Sequence, residues 1–374
     1  MRFRHDELAD LIDAMFAAAG CNGEEARRVA MRLVESNLAG HDSHGIIRVP
    51  SYVQWLRDGR VFPNRSIEVV SDTEAVAVVD GQFGLGQTVG EQATQLALEK
   101  STRHGVAIVA LRHAGHLGRI GDYAEMAARA GKLSLHFVNT SGAGMLVAPH
   151  GGVERRLSVN PIALAAPRAV GEPIVLDMSA APMAEGKLRL ALHRGESVPD
   201  GCIIDADGNP TNDPKDFYGD PPGALIPIAG HKGHGLLLLT ELLAGALTGG
   251  SCSNPENAWR VSNSMLSIVI DRSFFGSEEA FFGEVERYIA FVKSSRKSTP
   301  DGEIFMPGEI EAQTRAERLE NGIEIDDVTW EQLYDTCAAL GVVHNFPAPE
   351  GERADLGGFS MPGLGGQGRP DDGE

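Results

Sequence analysis

The amino-acid sequence predicts an α/β protein in which a mixed α/β body lies between helical segments from the two ends of the chain. Apolar side chains follow helical spacing over residues 1–65, strand-length apolar runs alternate with helices over 66–300, and helical spacing returns over 301–346. The 374-residue chain is 42% hydrophobic, which is enough for more than one folding unit. Residues 347–374 are rich in Gly and Pro and are predicted to form an extended or disordered tail.

The helical unit is predicted from amphipathic segments that end at glycines. At the amino terminus, helices are expected up to Gly20, over about 24–38, and from Pro50 to just before Gly59. At the other end, helices are expected over 309–320 and 328–340. We expect both sets to pack together against the α/β body.

The body is predicted from short apolar runs bounded by turn residues. Strands are expected at 75–79, 106–111, 133–138, 162–166, 174–176 and 265–270, and a hairpin over 202–211 turns at Asp207-Gly208-Asn209. Helices are expected at 87–101, 120–130 and 184–193. The strongly apolar segment 233–247 is predicted to be a buried helix.

Charge and cysteine usage exclude several classes of partner. The formal net charge of −19 disfavours nucleic acid and anionic membrane surfaces. It also means that an anionic ligand needs a local basic pocket. The four cysteines lie far apart without a CxxC pair, as is typical of a reducing compartment. No signal sequence or membrane span is predicted, so a cytoplasmic location is expected.

The first cluster of reactive side chains lies in segment 37–50, between two predicted helices. It holds His41, Asp42, Ser43, His44 and Arg48. Arg48 can bind a carboxylate through two hydrogen bonds, and Ser43 and His44 can bond a hydroxyl or carbonyl beside it. The structural alternative is that Asp42 and Ser43 cap a helix and Arg48 is a surface cation. Spacing alone favours neither interpretation.

The second cluster, 112–121, follows a predicted strand and precedes a helix. Ligands gather at the carboxyl ends of strands in α/β proteins. His116 lies there between glycines, and a histidine suits proton transfer because its usual pKa is near neutrality. The alternative is a histidine whose ring only bonds backbone groups, and the glycines favour the functional interpretation.

The third cluster, Gly230-His231-Lys232-Gly233-His234-Gly235, opens the apolar helix. Glycines let the backbone approach a ligand, the helix start offers free N–H groups, and Lys232 adds a positive charge. This combination suits a pyrophosphate or a carboxylate, although a plain loop with a solvated lysine has the same sequence. In contrast, segment 84–90 misses the GxGxxG spacing by one residue, which gives little support to a Rossmann site.

Three HxxH pairs raise the hypothesis of a metal-dependent hydrolase or lyase: His41/His44, His113/His116 and His231/His234. Metal sites usually add carboxylates or thiolates at ligand spacing, and Asp42 is the only carboxylate adjacent to a pair. The sequence therefore predicts no metal site. A ligand-binding protein without catalytic activity is the remaining alternative class.

Ordered motifs from about residue 5 to residue 343 resemble the type-2 malate/L-lactate dehydrogenase family. The matching segments are 40–48, 115–121, 147–152, Asn160-Pro161, Leu176-Asp177-Met178, Gly186-Lys187, 230–235 and Met306-Pro307-Gly308-Glu309. The family includes sulfolactate, ureidoglycolate and 2,3-diketogulonate oxidoreductases and cyclic imine reductases. Segments 37–46, 118–121, 136–138 and 199–204 most resemble its hydroxycarboxylate dehydrogenase branch.

The resemblance implies a mixed-sheet, non-Rossmann cofactor domain with a discontinuous helical domain from both chain ends, as in L-sulfolactate dehydrogenases. It implies a homodimer whose active site lies near the junction of domains and subunits. It also implies NAD or NADP as cofactor and the interconversion of a small 2-oxo carboxylic acid and its 2-hydroxy acid. Sulfolactate, ureidoglycolate or a cyclic imine acid are the alternative substrates within the family.

The resemblance assigns the site residues by motif. His116 and His44 are the acid/base candidates, and His116 is slightly favoured because it follows a strand directly. Ser43 and Arg48 are expected to position the substrate, and the motifs place Asp177 and Lys187 near the active site. The implied cofactor contacts are Gly118, Arg119, Ile120, Asp177, Met178, Ser179, His231, Lys232, Pro307, Gly308 and Glu309.

The sequence departs from the family pattern at the expected cofactor contacts. The family's Asp-Met-Ala-Thr-Ser run is here Asp177-Met178-Ser179-Ala180-Ala181, so two hydroxyls are absent or moved. His234 stands where an aromatic residue such as tyrosine is usual, and Ser158-Val159 replaces a Gly-Thr pair. The preference between NAD and NADP, the natural substrate and its stereochemistry stay open at this point.

Overall fold

The computed structural model describes residues 1–142, 144–257 and 259–349. Its helices are α1 (His5–Ala18), α2 (Gly23–Leu38), α3 (Val49–Arg57), α4 (Gly86–His104), α5 (Gly121–Arg129), α6 (Glu185–Arg194), α7 (Pro214–Phe217), α8 (His231–Glu241), α9 (Glu278–Lys293), α10 (Glu309–Asn321) and α11 (Asp327–Leu340). Short 3₁₀ turns over Asp42–His44 and Ile46–Arg48 join α2 to α3, and a π-helical turn over Leu242–Ala246 continues α8.

The strands are β1 (Arg2–Phe3), β2 (Glu68–Asp72), β3 (Val76–Gly84), β4 (Val106–Ala114), β5 (Leu133–Thr140), β6 (Ile162–Ala166), β7 (Ile174–Met178), β8 (Ile203–Ile204), β9 (Pro210–Thr211), β10 (Ala224–Leu225), β11 (Asn263–Ile270) and β12 (Ile323–Glu324). Seven of them form one sheet in the order β2-β3-β4-β11-β5-β6-β7. The β3–β4 pair is parallel and the other neighbours are antiparallel, so the sheet is mixed and the predicted fold class is confirmed.

The carboxyl ends of β3, β4, β5 and β7 lie at the same end of this sheet. The last residues of β3 and β4, Gly84 and Ala114, pair with each other, and Ala114 also pairs with Asn263 at the start of β11. Asn263 pairs on its other side with Thr140, the last residue of β5. At the far edge, the end of β7 pairs with the start of β6. The loops that follow β4 and β7 therefore leave the same end of the sheet.

A separate apolar core joins helices from both ends of the chain. Side chains of α1, α2 and α3 pack with Trp330 and Leu333 of α11, which are both nearly inaccessible. The ring of Phe3 in β1 contacts that of Trp330, tilted by 36° with ring centroids 4.5 Å apart, and β1 pairs with β12 near the carboxyl end. The ends of the chain thus meet, as expected, while the predicted domain boundaries stay a prediction.

Local sequence explains where several helices begin. Asn22, Ser277 and Asp326 precede α2, α9 and α11, and each side chain accepts a hydrogen bond from a backbone N–H of the first turn. Gly105 and Gly341 end α4 and α11 in the left-handed conformation, which favours glycine. These signals explain where α2 and α11 begin and where α4 and α11 end, whereas α9 was not predicted despite its capping serine.

The prediction of a buried helix at 233–247 is wrong in its burial and inexact in its bounds. The helix begins at His231, and Leu238, Leu239, Leu242 and Leu247 are 43%, 58%, 45% and 64% exposed. Its opposite face, which includes Leu237, is buried between the sheet and a smaller apolar core. Apolar composition cannot separate a helix covered on all sides from one that is covered on a single side.

The structure differs from the prediction in other elements too. Strand β4 runs on to Ala114, so Arg112 and His113 are strand residues and not part of the loop. The sequence analysis missed β2, whose side chains are all exposed, and α9, although Phe281, Val285, Ile289 and Val292 of α9 follow helical spacing. Residues 351–374, the core of the predicted tail, lie outside the described residues. None of the described helices has the length and apolarity needed to cross a bilayer.

Candidate active site

His116 lies in the loop after β4, and its ring has a fixed partner on one side. The Tyr52 hydroxyl is 2.6 Å from Nδ1 of His116, and Nε2 of Gln87 donates a 3.1 Å hydrogen bond to the same hydroxyl. Tyr52 is on α3 and Gln87 is in the first turn of α4, and both are buried. Nε2 of His116 has no hydrogen-bond partner in the described chain and is not fully buried, so it can meet a ligand.

The first predicted cluster faces this ring. The rings of His44 and His116 stack with centroids 5.6 Å apart and an interplanar angle of 13°. Nδ1 of His44 lies 3.0 Å from the Ser43 hydroxyl, and Nε of Arg48 donates a 2.6 Å hydrogen bond to the Ser43 carbonyl. No other hydrogen bond of the Arg48 guanidinium is formed with described residues, so its terminal nitrogens can bind a ligand. Tertiary structure therefore brings Ser43, His44, Arg48 and His116 together.

Burial and the Arg48 charge keep both rings neutral in the ligand-free protein. The pKa of His116 is lowered to about 3, first by burial and then by the positive charge of Arg48. The pKa of His44 is lowered well below its usual value by burial, with further contributions from His116 and Arg48. A negative ligand beside Arg48 would oppose part of this effect, because it would offset the cation that lowers both pKa values.

The loop that carries Ser43 and His44 is held by helices from both ends of the chain. The Asn37 side chain accepts from the N–H of Ile46 at 2.8 Å and donates to Asp42 at 2.6 Å. Arg318 of α10 makes two hydrogen bonds to the Asp42 carboxylate. Asp42 is therefore structural, but it acts as an ion-pair partner of Arg318 and not as a helix cap.

The glycine segment 84–90, which misses the dinucleotide pattern, packs against the His116 loop. The Gly84 carbonyl accepts from the N–H of Gly115 at 2.7 Å, and a Cβ on Gly86 would lie 2.2 Å from the His116 carbonyl oxygen. The Tyr123 hydroxyl donates to the carbonyls of Gly86 and Leu117, at 3.1 and 2.7 Å. Glycine is needed at 86 because two backbones approach closely, and this segment supports the site as a scaffold.

Asp177, near the end of β7, connects this strand to the loop that follows β4 and carries His116. Its carboxylate accepts from the N–H of Gly121 at 2.7 Å and lies 4.0 Å from the Arg119 guanidinium. Burial raises the pKa of Asp177, while His41 and Arg119 oppose that shift. Arg119 is 4% exposed and its guanidinium is bonded to Asp122 and Glu125, so this side chain is not available to a ligand, and Gly118 and Ile120 beside it are also buried.

The other predicted cofactor contacts extend from the end of β7. Met178 and Ser179 are half-buried, and Ala180 accepts a 3.0 Å hydrogen bond from Ile228, three residues before α8. A cleft of about 690 Å³ opens beside Gly230 and is lined mainly by segments 149–153 and 226–230. Its size is within the usual range for ligand sites, although none of the predicted catalytic residues lines it.

The start of α8 has the features expected of an anion site. The amide groups of His231, Lys232 and Gly233 have no acceptor among the described residues, and the Lys232 side chain is exposed without an ion-pair partner there. A Cβ on Gly233 would lie 1.9 Å from the Ile228 carbonyl oxygen, so the close turn requires glycine. His234, the departure from the family pattern, accepts a 3.3 Å hydrogen bond from the N–H of His150.

The remaining predicted residues lie on α6 (Lys187) and in the segment before and at the start of α10 (Pro307, Gly308 and Glu309). Lys187 is exposed in the first turn of α6, next to Gly186, whose added Cβ would lie 3.0 Å from Cβ of Ser43. Pro307 and Gly308 lie beside Val175, near the start of β7, where Pro307 accepts a 3.1 Å hydrogen bond from the Val175 N–H. The Glu309 carboxylate already binds Lys293 at 2.7 Å, so its ion pair would have to rearrange to receive a cofactor hydroxyl.

The histidine pairs are distributed among different neighbours. His113 lies 2.9 Å from the Asp80 carboxylate, His41 lies 3.6 Å from Glu311, and the ring of His231 faces that of His150. Among the residues that the structure describes, no three His, Cys, Asp or Glu side chains are grouped as a metal site would require. In the described chain, the HxxH pairs therefore do not form the set of ligands that a metal site would need.

Tyr52 and Gln87 are site residues that sequence reasoning missed. Tyr52 is four residues after Arg48, and this spacing places two residues on the same face of a helix. That spacing was the one available signal. Gln87 carried none, because its role depends on how α4 packs against α3 and the His116 loop.

Chemically, the cluster of Ser43, His44, Arg48 and His116 can bind an anion at Arg48 and exchange a proton at the His116 ring. Arg48 offers unpaired guanidinium nitrogens, and His116 offers a free Nε2 while its other nitrogen is held by Tyr52. Such a pair suits a reaction on a carbonyl or hydroxyl next to a carboxylate.

Comparisons with known proteins agree with this chemistry. A family model described as malate/L-lactate dehydrogenase matches residues 3–334. Hydroxycarboxylate dehydrogenase B of Escherichia coli K12 is 38% identical over 345 residues, which cover 91% of this chain and 95% of that protein. The matched part of the chain contains all the site residues discussed above.

Two solved structures have the same fold. Malate dehydrogenase from Pyrococcus horikoshii OT3 has a TM-score of 0.83 at 33% identity and covers 92% of this chain and 96% of its own. Sulfolactate dehydrogenase from Methanocaldococcus jannaschii has a TM-score of 0.81 at 36% identity and covers 91% of this chain and 98% of its own. Both are named for oxidation of a 2-hydroxy acid.

Proposed function

Because the chain belongs to the malate/L-lactate dehydrogenase family, we propose that it is an NAD(P)-dependent oxidoreductase that interconverts a 2-oxo carboxylic acid and its 2-hydroxy acid. The observation that carries this proposal is the cluster in which the rings of His44 and His116 stack and the charge of Arg48 acts on both of them. The proposed site of action is the cytoplasm, and the substrate is a small acid.

Arg48 binds the substrate carboxylate and thereby sets the protonation of His116. The guanidinium lowers the pKa of His116, so a bound carboxylate that offsets this charge raises that pKa again. An anionic substrate beside Arg48 therefore favours the protonated ring more than the ligand-free site does, while burial still opposes protonation. In reduction, the Nε2–H of the ring donates its proton to the oxygen of the former carbonyl group, and in oxidation the neutral ring accepts it back. Ser43 and His44 orient the substrate oxygen beside the ring.

A nicotinamide cofactor, when bound, supplies the hydride to the carbonyl carbon in reduction. The residues at the start of α8 fit such a dinucleotide, because free amide groups and the Lys232 ammonium suit its phosphates. The proposed contacts at segment 118–120, Met178 and Ser179 are supported by two hydrogen bonds, because Asp177 bonds Gly121 just after that segment and Ala180 bonds Ile228 just before α8. Pro307, Gly308 and Glu309 would complete the contacts along β7.

The proposed assembly is a homodimer. Leucines of α8 and its π-helical turn are exposed, and a second apolar patch includes Phe274, Phe275, Tyr288 and Phe291 on and before α9, which are 58%, 77%, 59% and 67% exposed. Large exposed apolar patches on a single chain commonly mark an interface. A second copy of the chain would cover these surfaces.

The proposed function is tested with a panel of 2-oxo acids and both reduced cofactors. Oxaloacetate, pyruvate, sulfopyruvate and a cyclic imine acid are each incubated with NADH or NADPH, and loss of the cofactor absorbance is recorded. We expect turnover of at least one linear 2-oxo acid. Turnover of the cyclic imine alone would favour the imine reductases of the family, and no turnover with any pair would contradict the proposal.

A further inference from the structure

The first turn of α6 borders the proposed substrate site and carries charged side chains. A Cβ on Gly186 would lie 3.0 Å from Cβ of Ser43, so the backbone of α6 meets the Ser43 turn directly. Glu185 precedes this glycine and Arg189 follows one turn later, which places both on one side of the helix. Their side chains are only 11% and 18% exposed, so they are enclosed and not solvated surface charges.

The side chains of Glu185, Arg189 and Tyr218, here called the α6 triad, are joined at a single oxygen atom. Nε and Nη2 of Arg189 donate to Oε1 of Glu185 at 3.2 and 2.7 Å. The Tyr218 hydroxyl, from the residue after α7, donates to the same oxygen at 2.8 Å. Charge-assisted bonds of this kind hold a guanidinium in one orientation more firmly than an exposed ion pair does.

The charges of the α6 triad act on Arg48. The pKa of Arg48 is lowered, first by burial; the negative charge of Glu185 opposes this shift and the positive charge of Arg189 adds to it. Such effects fall off with distance, so both side chains lie close enough to share an electrostatic environment with Arg48. A ligand bound at Arg48 is therefore also within the field of Arg189.

Arg155 adds a further positive charge beside the α6 triad. It donates to the carbonyls of Gly223 and Phe217 at 2.7 and 2.5 Å, and burial lowers its pKa while Tyr218 and Glu185 oppose that shift. Within the described chain, one carboxylate, that of Glu185, thus acts on three guanidinium groups, an excess of two positive charges. The whole protein has a net charge of −19, so this excess is local and suits a ligand with two negative charges.

We propose that Arg189 is a specificity-determining residue that binds a second acidic group of the substrate, one methylene beyond the 2-oxo carbon. This inference rests on the proposed function, in which Arg48 binds the first carboxylate. The substrate class is then a doubly charged 2-oxo acid whose second group is a carboxylate or a sulfonate, as in oxaloacetate or sulfopyruvate. Acids with a single charge, such as pyruvate, are poorer substrates.

Glu185 holds Arg189 in place in the ligand-free protein and shares it with the substrate. A guanidinium carries five N–H donors, so one arginine can bind two acidic groups at once. Glu185 also reduces the cost of enclosing several cations together, because an uncompensated charge is expensive to bury. Its negative charge nevertheless repels the second acidic group of the substrate, so Glu185 weakens binding as well as positioning Arg189.

The test compares oxaloacetate with 2-oxobutyrate, which have the same number of carbons and differ in a terminal carboxylate or methyl group. We expect the wild type to have the higher kcat/KM with oxaloacetate. In Arg189→Gln this preference should fall by about tenfold or more, mainly through KM for oxaloacetate, because one charge-assisted contact is lost. Sulfopyruvate should behave like oxaloacetate. A wild type that prefers 2-oxobutyrate, or an unchanged preference in Arg189→Gln, overturns the proposal.

The matched control is Arg287→Gln on α9. Arg287 also pairs with a glutamate of its own helix, since it donates to Glu284 at 2.7 and 2.6 Å, but its side chain is 61% exposed. The variant removes the same charge, and we expect the preference for oxaloacetate to stay at the wild-type value. If both variants lower the preference equally, the overall charge is the cause and the proposal is overturned.

A second variant covers the case in which Arg189→Gln fails to fold. Glu185→Gln keeps an oxygen that accepts from Tyr218 and Arg189 but removes the negative charge that competes with the substrate. The preference for oxaloacetate over 2-oxobutyrate should therefore rise. A folded Glu185→Gln protein in which it does not rise overturns the inference, whereas turnover of either acid leaves the proposed function standing.

If the wild type reduces none of the acids, the proposed function fails and the second anion site is decided by binding. Succinate and butyrate have the same number of carbons and differ by one carboxylate. Isothermal titration calorimetry should show succinate binding about tenfold more tightly than butyrate, and Arg189→Gln should remove most of this difference. Equal binding of the two acids by the wild type overturns the inference.

Discussion

At the scale of single residues, the two stacked histidines differ in what holds them. Nδ1 of His116 bonds a buried tyrosine that is itself held by Gln87, whereas Nδ1 of His44 faces Ser43 in a half-buried turn. A side chain that transfers a proton works best when its ring is held in place, because a small displacement from the substrate lowers the rate. We therefore propose His116 as the acid/base and His44 as the group that orients the substrate.

We expect His116→Gln to lower turnover by about two to four orders of magnitude, because glutamine fills the space but cannot exchange a proton. His44→Gln should mainly raise KM. Steady-state kinetics of both variants measure this, with cofactor affinity and unfolding temperature as checks on folding. Near-normal turnover in His116→Gln would move the acid/base role to His44.

Arg48→Lys keeps the positive charge but loses the planar guanidinium and its bond to the Ser43 carbonyl. We expect kcat/KM for 2-oxo acids to fall by about a hundredfold, which corresponds to the loss of a paired, charge-assisted contact. The unfolding temperature should change little. A large fall in unfolding temperature would instead show that Arg48 is structural and that another group binds the carboxylate.

At the scale of elements, the two glycine-rich segments have opposite roles. Segment 84–90 packs backbone to backbone against the His116 loop, whereas the start of α8 presents free amides and a lysine. The sequence pattern of the first resembles a nucleotide loop more closely than that of the second does. The distinction lies in what faces each segment, since a loop already filled by protein has no room for a ligand.

We expect Lys232→Ala to weaken NADH or NADPH binding by at least tenfold, about 1.4 kcal/mol, because it removes a cation that no described carboxylate occupies. Fluorescence titration of the reduced cofactor measures this. Lys215→Ala is the matched control, since it removes an exposed lysine from α7. Equal weakening in both variants would point to overall charge and not to a phosphate site at α8.

At the scale of the whole molecule, the proposed dimer explains why α8 is so apolar. A helix with one face on the sheet and another face exposed would be costly in an isolated chain, since leucine side chains stay in water. The same helix begins at the proposed phosphate site. A dimer contact along α8 would therefore also support the cofactor-binding end of the helix.

We expect the wild type to sediment as a dimer and Leu239→Glu to sediment as a monomer, because a charge in an apolar interface opposes association. Val343→Glu is the control, because Val343 is 94% exposed on a different part of the surface. Sedimentation velocity at several protein concentrations distinguishes the two. A dimer that survives Leu239→Glu would place the interface elsewhere.

The amino-acid sequence predicted the mixed α/β class, most helices and strands, and the segments that hold Ser43, His44, Arg48, His116 and Lys232. It did so because periodicity, capping residues and glycines act over a few neighbouring residues. Family motifs then supplied roles that spacing alone left undecided. Periodicity, capping residues and glycines act within short segments and do not depend on what those segments pack against.

The partners that those residues meet could not be predicted and are known from the packing of the folded chain. Tyr52 and Gln87 reach His116 from positions 64 and 29 residues earlier in the chain, because α3 and α4 both pack at the end of the sheet where β4 stops. Asp177 proved to bond the loop after His116, and α8 proved to be exposed on one side. Packing direction depends on the whole set of contacts between distant segments, and no short pattern in the sequence encodes it.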